Sequence, residues 1–176
     1  MRGGARVDQG HRGVPAPAST LQGKINRLFE VCRPPGQPER EYQNKEVAAA
    51  VKAAGKEISE SHLSELRRGV KDNPTVRVLE TLAWFFQVRP GYFIDPQAAQ
   101  EVEVELAAKE EQLRDELRAR AEAVEVEREL RDAMSLAGVT GVAQRSGGMS
   151  PQDRVKLMKV MIEVLRKDAG NAGNKD

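Results

Sequence analysis

The stretch from Asn44 to Pro74, punctuated by Gly55 and Gly69, constrains the fold most, because it reads as two short helices around a tight bend. The first helix runs from about Asn44 to Ala54: Asn44 supplies a capping side chain, and Val47, Ala48 and Val51 make one narrow apolar face. Gly55 supplies the left-handed backbone that ends it, and Lys56, Glu57 and Ile58 form the bend. Ser59 caps the second helix, which continues to Arg68 before Gly69 stops it. Only Leu63 and Leu66 of this second helix belong inside. Ser61, His62, Glu65 and Arg68 then share the opposite face, with side chains of the kind that reach base edges.

Two small helices around a glycine also occur as plain packing, so the next segment matters. Asn73-Pro74 opens a third helix, Thr75 to Phe86, where Val78, Leu79, Leu82, Ala83, Phe85 and Phe86 form a stripe wide enough to seal the pair from below. Ahead of them, Ser19 or Thr20 caps a helix reaching Val31, with Leu21, Ile25, Leu28 and Phe29 on one face. Pro34, Pro35, Gly36 and Pro38 break it, and the loop from Arg33 to Arg40 reads as a loose connector. Tyr92 and Phe93 are expected to pack back onto this head.

The run Ile58-Ser59-Glu60-Ser61-His62-Leu63-Ser64-Glu65-Leu66-Arg67-Arg68-Gly69, then Asn73-Pro74, a leucine-rich helix and Val88-Arg89-Pro90-Gly91-Tyr92-Phe93, resembles the Cro/C1-type (XRE) helix-turn-helix domain. Lys24-Ile25-Asn26-Arg27-Leu28-Phe29, the Pro34-Pro35-Gly36 loop and Ala143-Gln144-Arg145 before Ser150-Pro151 are similar to the EspR-like nucleoid-associated regulators of actinobacteria. The resemblance covers roughly Thr20 to Ala169. The chain departs from it in a longer spacing between Ala48 and Leu63 and a longer acidic stretch after Pro96. What the resemblance implies is a homodimer on double-stranded DNA with Glu60 to Arg68 in the major groove. Ser59, Glu60 and Ser61 lie at its leading end, His62 and Glu65 act as sequence readers, and Asn44, Lys45, Arg67 and Lys71 hold phosphates or the turn. Asn44 stands where relatives carry a Gln that caps the first helix against a phosphate. Glu65 either accepts from a cytosine amino group or holds Arg68.

Charge is distributed in keeping with this. The whole chain carries only +1, but residues 1–94 hold 15 Lys or Arg against 10 acids, residues 95–136 hold 6 against 13, and residues 137–176 hold 7 against 4. A basic head and an acidic middle fit a DNA-reading module kept apart from a segment that stays off DNA. The 39% apolar, 31% charged and 4% aromatic content points to an all-α chain of one or two small domains.

The expected organisation is a disordered tail at 1–18, a helix-turn-helix domain at 19–95, an acidic helical arm at 96–137, C-terminal dimerisation helices at 138–169 and a frayed end at 170–176. Arg2, Arg6 and Arg12 in the first tail are too sparse for a basic arm. In the arm, Val102, Leu113 and Val124, and Leu106 and Leu117, repeat every eleven residues, a thin stripe on a solvent-exposed helix that would reach about 50 Å. A short helix around Val139 to Arg145 lies among glycines, and Ser150-Pro151 starts a last helix. Its stripe, Val155, Met158, Met161, Ile162 and Leu165, with Leu136, Val139 and Val142, is too apolar to stand alone and calls for a twofold partner, as the resemblance also implies.

No enzyme pattern is present. There is no Gly-rich phosphate loop, no Cys or His pair at metal-ligand spacing, and His11 and His62 have no catalytic partners in sequence. No cofactor is therefore expected. Cys32 reads as a buried reduced thiol, and the absence of a long apolar run or a signal-like start places the chain in the cytoplasm, on the nucleoid. The competing reading is a helical protein–protein adaptor, favoured by the near-neutral total charge.

Overall fold

The computed structural model describes residues 18–139 and 150–172, with 168–172 described by backbone alone. These residues are all-α. In order they form α1 (Leu21–Val31), α2 (Asn44–Ala53), α3 (Glu60–Arg67), α4 (Val76–Phe86), a 3-10 turn (Pro90–Phe93), α5 (Pro96–Leu136) and α6 (Pro151–Ala172), with no strand among them. The expected tail at 1–18 and the short helix at 139–145 fall almost wholly outside the described residues. The chain divides into two compact units, Met1–Leu113 and Arg114–Asp176, so the division falls inside α5.

In the first unit the helix signals act where the sequence puts them. Thr20 caps α1 by accepting from the Gly23 N–H at 3.1 Å, and Ser59 caps α3 by accepting from the His62 N–H at 3.1 Å. The cap of α2 is one residue earlier than expected. Gln43 holds that position and its N–H donates to Glu46 Oε2 at 2.7 Å, while Asn44 is already helical. The core joins Ile25, Leu28 and Phe29 of α1, Val47 and Val51 of α2, Leu63 and Leu66 of α3, and Leu82 and Phe86 of α4. Tyr92 and Phe93 fold back into it as expected.

The first part of α5 belongs to this unit and is not a bare arm. Ala99, Val102 and Leu106 are buried in the core, and so is the carboxylate of Glu103. It accepts from Tyr92 Oη at 2.9 Å and from Arg27 Nε at 3.3 Å, while Arg27 also reaches Glu110 at 2.6 Å. A charge this deep is tolerable only when paired and hydrogen-bonded, and these partners supply both. Burial opposes the Arg27 charge, but its hydrogen bonds to Glu110 and Glu103 overcome that and raise its pKa. Burial together with the Glu103 charge holds the Tyr92 phenol far above its ordinary range.

The connector from Arg33 to Arg40 is not loose. Pro34 and Pro38 are buried, and the Arg40 guanidinium donates twice to Glu46, at 2.8 Å each, tying the loop to the first turn of α2. Cys32 is half-buried, short of the full burial expected, and burial pushes its thiol pKa up, which disfavours the reactive thiolate.

In the second unit α6 packs on the end of α5. Val126, Leu130 and Ala133 meet Met158 and Ile162, with Val155, Met161 and Leu165 partly buried beside them. Ion pairs Arg154–Glu127 at 3.1 Å, Lys159–Glu122 at 2.6 Å and Arg166–Glu129 at 3.5 Å flank the seam. This corrects two expectations. Val124 of the eleven-residue stripe and Leu136, expected in the C-terminal core, stand exposed, and Val126, Leu130 and Ala133 take the packing face instead. Met158 and Ile162 find their cover within the chain itself. The exposed apolar residues of α6 are instead Leu157, Val160 and Val164, spaced as one helical face.

Candidate nucleic-acid interface

The bend between α2 and α3 is set by backbone chemistry. Gly55 adopts φ +71° and closes α2, Ile58 is buried as the single apolar anchor, and Ser59 restarts the helix. Leu63 and Leu66 are fully buried, which turns the rest of α3 outward. Glu60, Ser61 and Arg68 are exposed, and His62, Ser64 and Glu65 are half-exposed beside them. Lys45 stands exposed on α2, and Lys71 is exposed in the loop after α3. Ser61, His62, Glu65 and Arg68 thus share the outer face of α3, and Lys45 and Lys71 are accessible on the neighbouring segments.

Three of the expected phosphate-holding residues are otherwise engaged, Lys71 by Glu65 and the other two in an inward cluster. Arg67 turns inward: its guanidinium lies 3.7 Å from the centre of the Phe29 ring and donates to Asn26 Oδ1 at 3.0 Å and Asn44 Oδ1 at 2.9 Å. Glu41 lies 3.6 Å away. Burial lowers the Arg67 pKa, with Glu41 and Glu30 opposing it. The reason is geometric, since Arg67 follows Leu66 on the side of α3 that meets α1 and α2. Asn44 is drawn into the same cluster, with its oxygen committed to Arg67 and its amide N–H2 left to donate elsewhere.

Asn26, which sequence reasoning passed over, completes the cluster. Its amide donates to the Arg67 carbonyl at 3.0 Å while its oxygen accepts from the Arg67 side chain. An asparagine in mid-helix carries no signal of such a role by itself. Gln43, also passed over in favour of Asn44, stands three positions before Glu46, the spacing of a capping box.

Glu65 does not hold Arg68. Arg68 Nε donates to the Ser64 carbonyl at 3.3 Å, whereas Glu65 Oε2 pairs with Lys71 Nζ at 2.8 Å and lies 3.8 Å from His62 Nδ1. The Lys71 hydrogen bond holds the Glu65 carboxyl below its ordinary pKa, so it remains an anion at neutral pH. Among the described residues no group of three or more His, Cys, Asp or Glu side chains could hold a metal. None of the described helices is long and apolar enough to cross a membrane.

No family model matches the chain. It is 36% identical over 89 residues to the nucleoid-associated protein EspR of Mycobacterium tuberculosis, in both strain CDC 1551 / Oshkosh and strain ATCC 25618 / H37Rv. The match covers 51% of this chain and 66% of that protein, so it spans just under two thirds of the relative's length.

Proposed function

We propose that the chain is a regulator of the nucleoid-associated kind that binds double-stranded DNA with a sequence preference and acts as a homodimer, through a helix-turn-helix head of the Cro/C1 type. The observation that carries this reading is the division of α3. Two fully buried leucines fix one side, and a continuous set of hydrogen-bonding side chains, Ser61, His62, Glu65 and Arg68, faces solvent on the other. Such a helix on a small basic head suits the major groove. In this reading Ser59, Glu60 and Ser61 form the leading end, Lys45 and Arg68 neutralise phosphates, and the free amide of Asn44 donates to a phosphate oxygen. Arg67 holds α3 in place from behind and makes no DNA contact. The identity with a nucleoid-associated protein supports the same assignment and a location on the nucleoid.

The exposed face Leu157, Val160 and Val164 of α6 supports pairing of two copies through the C-terminal unit, with Val155, Met161 and Leu165 at its margin and Met158 and Ile162 as its foundation. Titration of duplex binding against salt tests the DNA assignment. The logarithm of the affinity is expected to fall steeply and linearly with the logarithm of salt concentration, as counterions are released from the phosphates. Absence of binding at low salt would leave the adaptor reading in its place.

A further inference from the structure

We infer that Glu65 and Lys71 act together as a reader of one C·G base pair. This rests on the DNA-binding reading above and goes beyond it in naming the base pair. Lys71, which the resemblance assigns to a phosphate or the turn, becomes a specificity-determining residue.

The pair is built by the fold. Gly69 adopts φ +71° at the end of α3, and the Val70 N–H donates to the Glu65 carbonyl at 2.9 Å, a bond pattern that wraps the chain back over the last turn of the helix. The Lys71 N–H also points to the Glu65 carbonyl, at 3.4 Å. The left-handed φ is what calls for glycine here, since a Cβ at residue 69 would meet only the flexible end of the Gln22 side chain, at 2.6 Å from Oε1. The backbone therefore delivers Lys71 beside Glu65, on the outward side of α3. Both contacts to the carboxylate, from Lys71 and from His62, fall on Oε2. Oε1 is left to accept from outside, and the exposed Lys71 side chain has further N–H groups to donate.

An anionic side chain facing DNA is normally repelled by the phosphates. A lysine at 2.8 Å cancels that charge locally and lets the carboxylate approach the groove. What the two present is an acceptor beside a donor. In the major groove a C·G pair presents the complement, the cytosine N4 amino group beside the guanine O6 and N7 acceptors. An A·T pair fits less well. Its N6 amino group lies between two acceptors, N7 and the thymine O4, so a carboxylate placed there faces a lone pair with no ammonium on one side.

The test is selection of bound sequences from a random duplex library by the full chain, comparing the unaltered protein with E65Q and K71M. The unaltered protein is expected to require C at one position. E65Q should move that position to A, because a glutamine amide matches the adenine N6 and N7 edge, with a change in relative preference of about 10-fold or more and the other positions unchanged. K71M should weaken the preference at the same position. An unchanged preference in E65Q, or a K71M protein that loses affinity for all sequences equally, would overturn the inference while leaving DNA binding intact. A chain that binds no duplex at low salt would overturn the DNA-binding reading and this inference with it.

Discussion

Replacing Arg67 with alanine separates an inward clamp from a phosphate contact, because the two roles predict opposite results in two measurements. The clamp consists of two charge-assisted hydrogen bonds, to Asn26 at 3.0 Å and Asn44 at 2.9 Å, and a guanidinium stacked on Phe29 at 3.7 Å. With about 1.5 kcal/mol for each charge-assisted bond and roughly 0.5–1 kcal/mol for the ring contact, about 4 kcal/mol is lost. Recovered hydration of a group whose charge is disfavoured by burial offsets part of this, leaving on the order of 2–3 kcal/mol. An arginine that only touched phosphate would cost within about 0.5 kcal/mol. Urea unfolding followed by the emission of Trp84, the single tryptophan and part of α4, reads the stability of the head. At about 1.5 kcal/mol per molar urea, the midpoint should fall by roughly 1–2 M. On DNA, under conditions where the variant stays folded, the slope of log affinity against log salt should be unchanged, whereas loss of a phosphate contact lowers it by about 1. An unmoved urea midpoint together with a reduced salt slope would refute the inward assignment.

Four further outcomes are expected. Leu66→Ala removes a fully buried side chain from under the recognition helix and should cost about 2–5 kcal/mol in the same urea assay. Glu103→Ala leaves the Tyr92 hydroxyl and Arg27 without their shared buried partner; Arg27 keeps Glu110, so about 2–4 kcal/mol should be lost, read by urea unfolding. The Arg40 hydrogen bonds hold Glu46 at a pKa of about 2, against 4.5 for the free side chain. Its stabilising effect is therefore complete above about pH 4.5 and is lost as pH falls toward 2, and Glu46→Gln should flatten stability over that window in acid-unfolding curves. Leu157→Asp combined with Val160→Asp places charges on the exposed apolar face of α6 and should convert a dimer to a monomer in sedimentation experiments, with helical circular dichroism retained.

Much of the head was legible because its punctuation is local. Thr20, Ser59, Gly55 and Gly69 each act through their own hydroxyl or their own backbone freedom, and the leucine spacing at 63 and 66 needs only helical geometry. What was misread depends on neighbours distant in sequence. An arginine at position 67 looks like its neighbour at 68 until α1 supplies Asn26 and Phe29, about forty positions earlier. Glu103 looked like one more charge in an acidic helix, and only the inward Tyr92 and Arg27 give it reason to be buried. In the second unit the periodicity of α5 alone could not choose between Val124 and Val126. The choice falls to whichever residues meet Met158 and Ile162, and that depends on how α6 packs.

The reciprocal bonding of Asn26 with Arg67 has an evolutionary consequence. Each residue satisfies the other's side chain, and Asn26 also binds the Arg67 backbone, so a change at either leaves polar atoms of the other unpaired in a half-buried position. Among homologues the two positions should covary, and a lineage that exchanges one should carry a compensating exchange at the other.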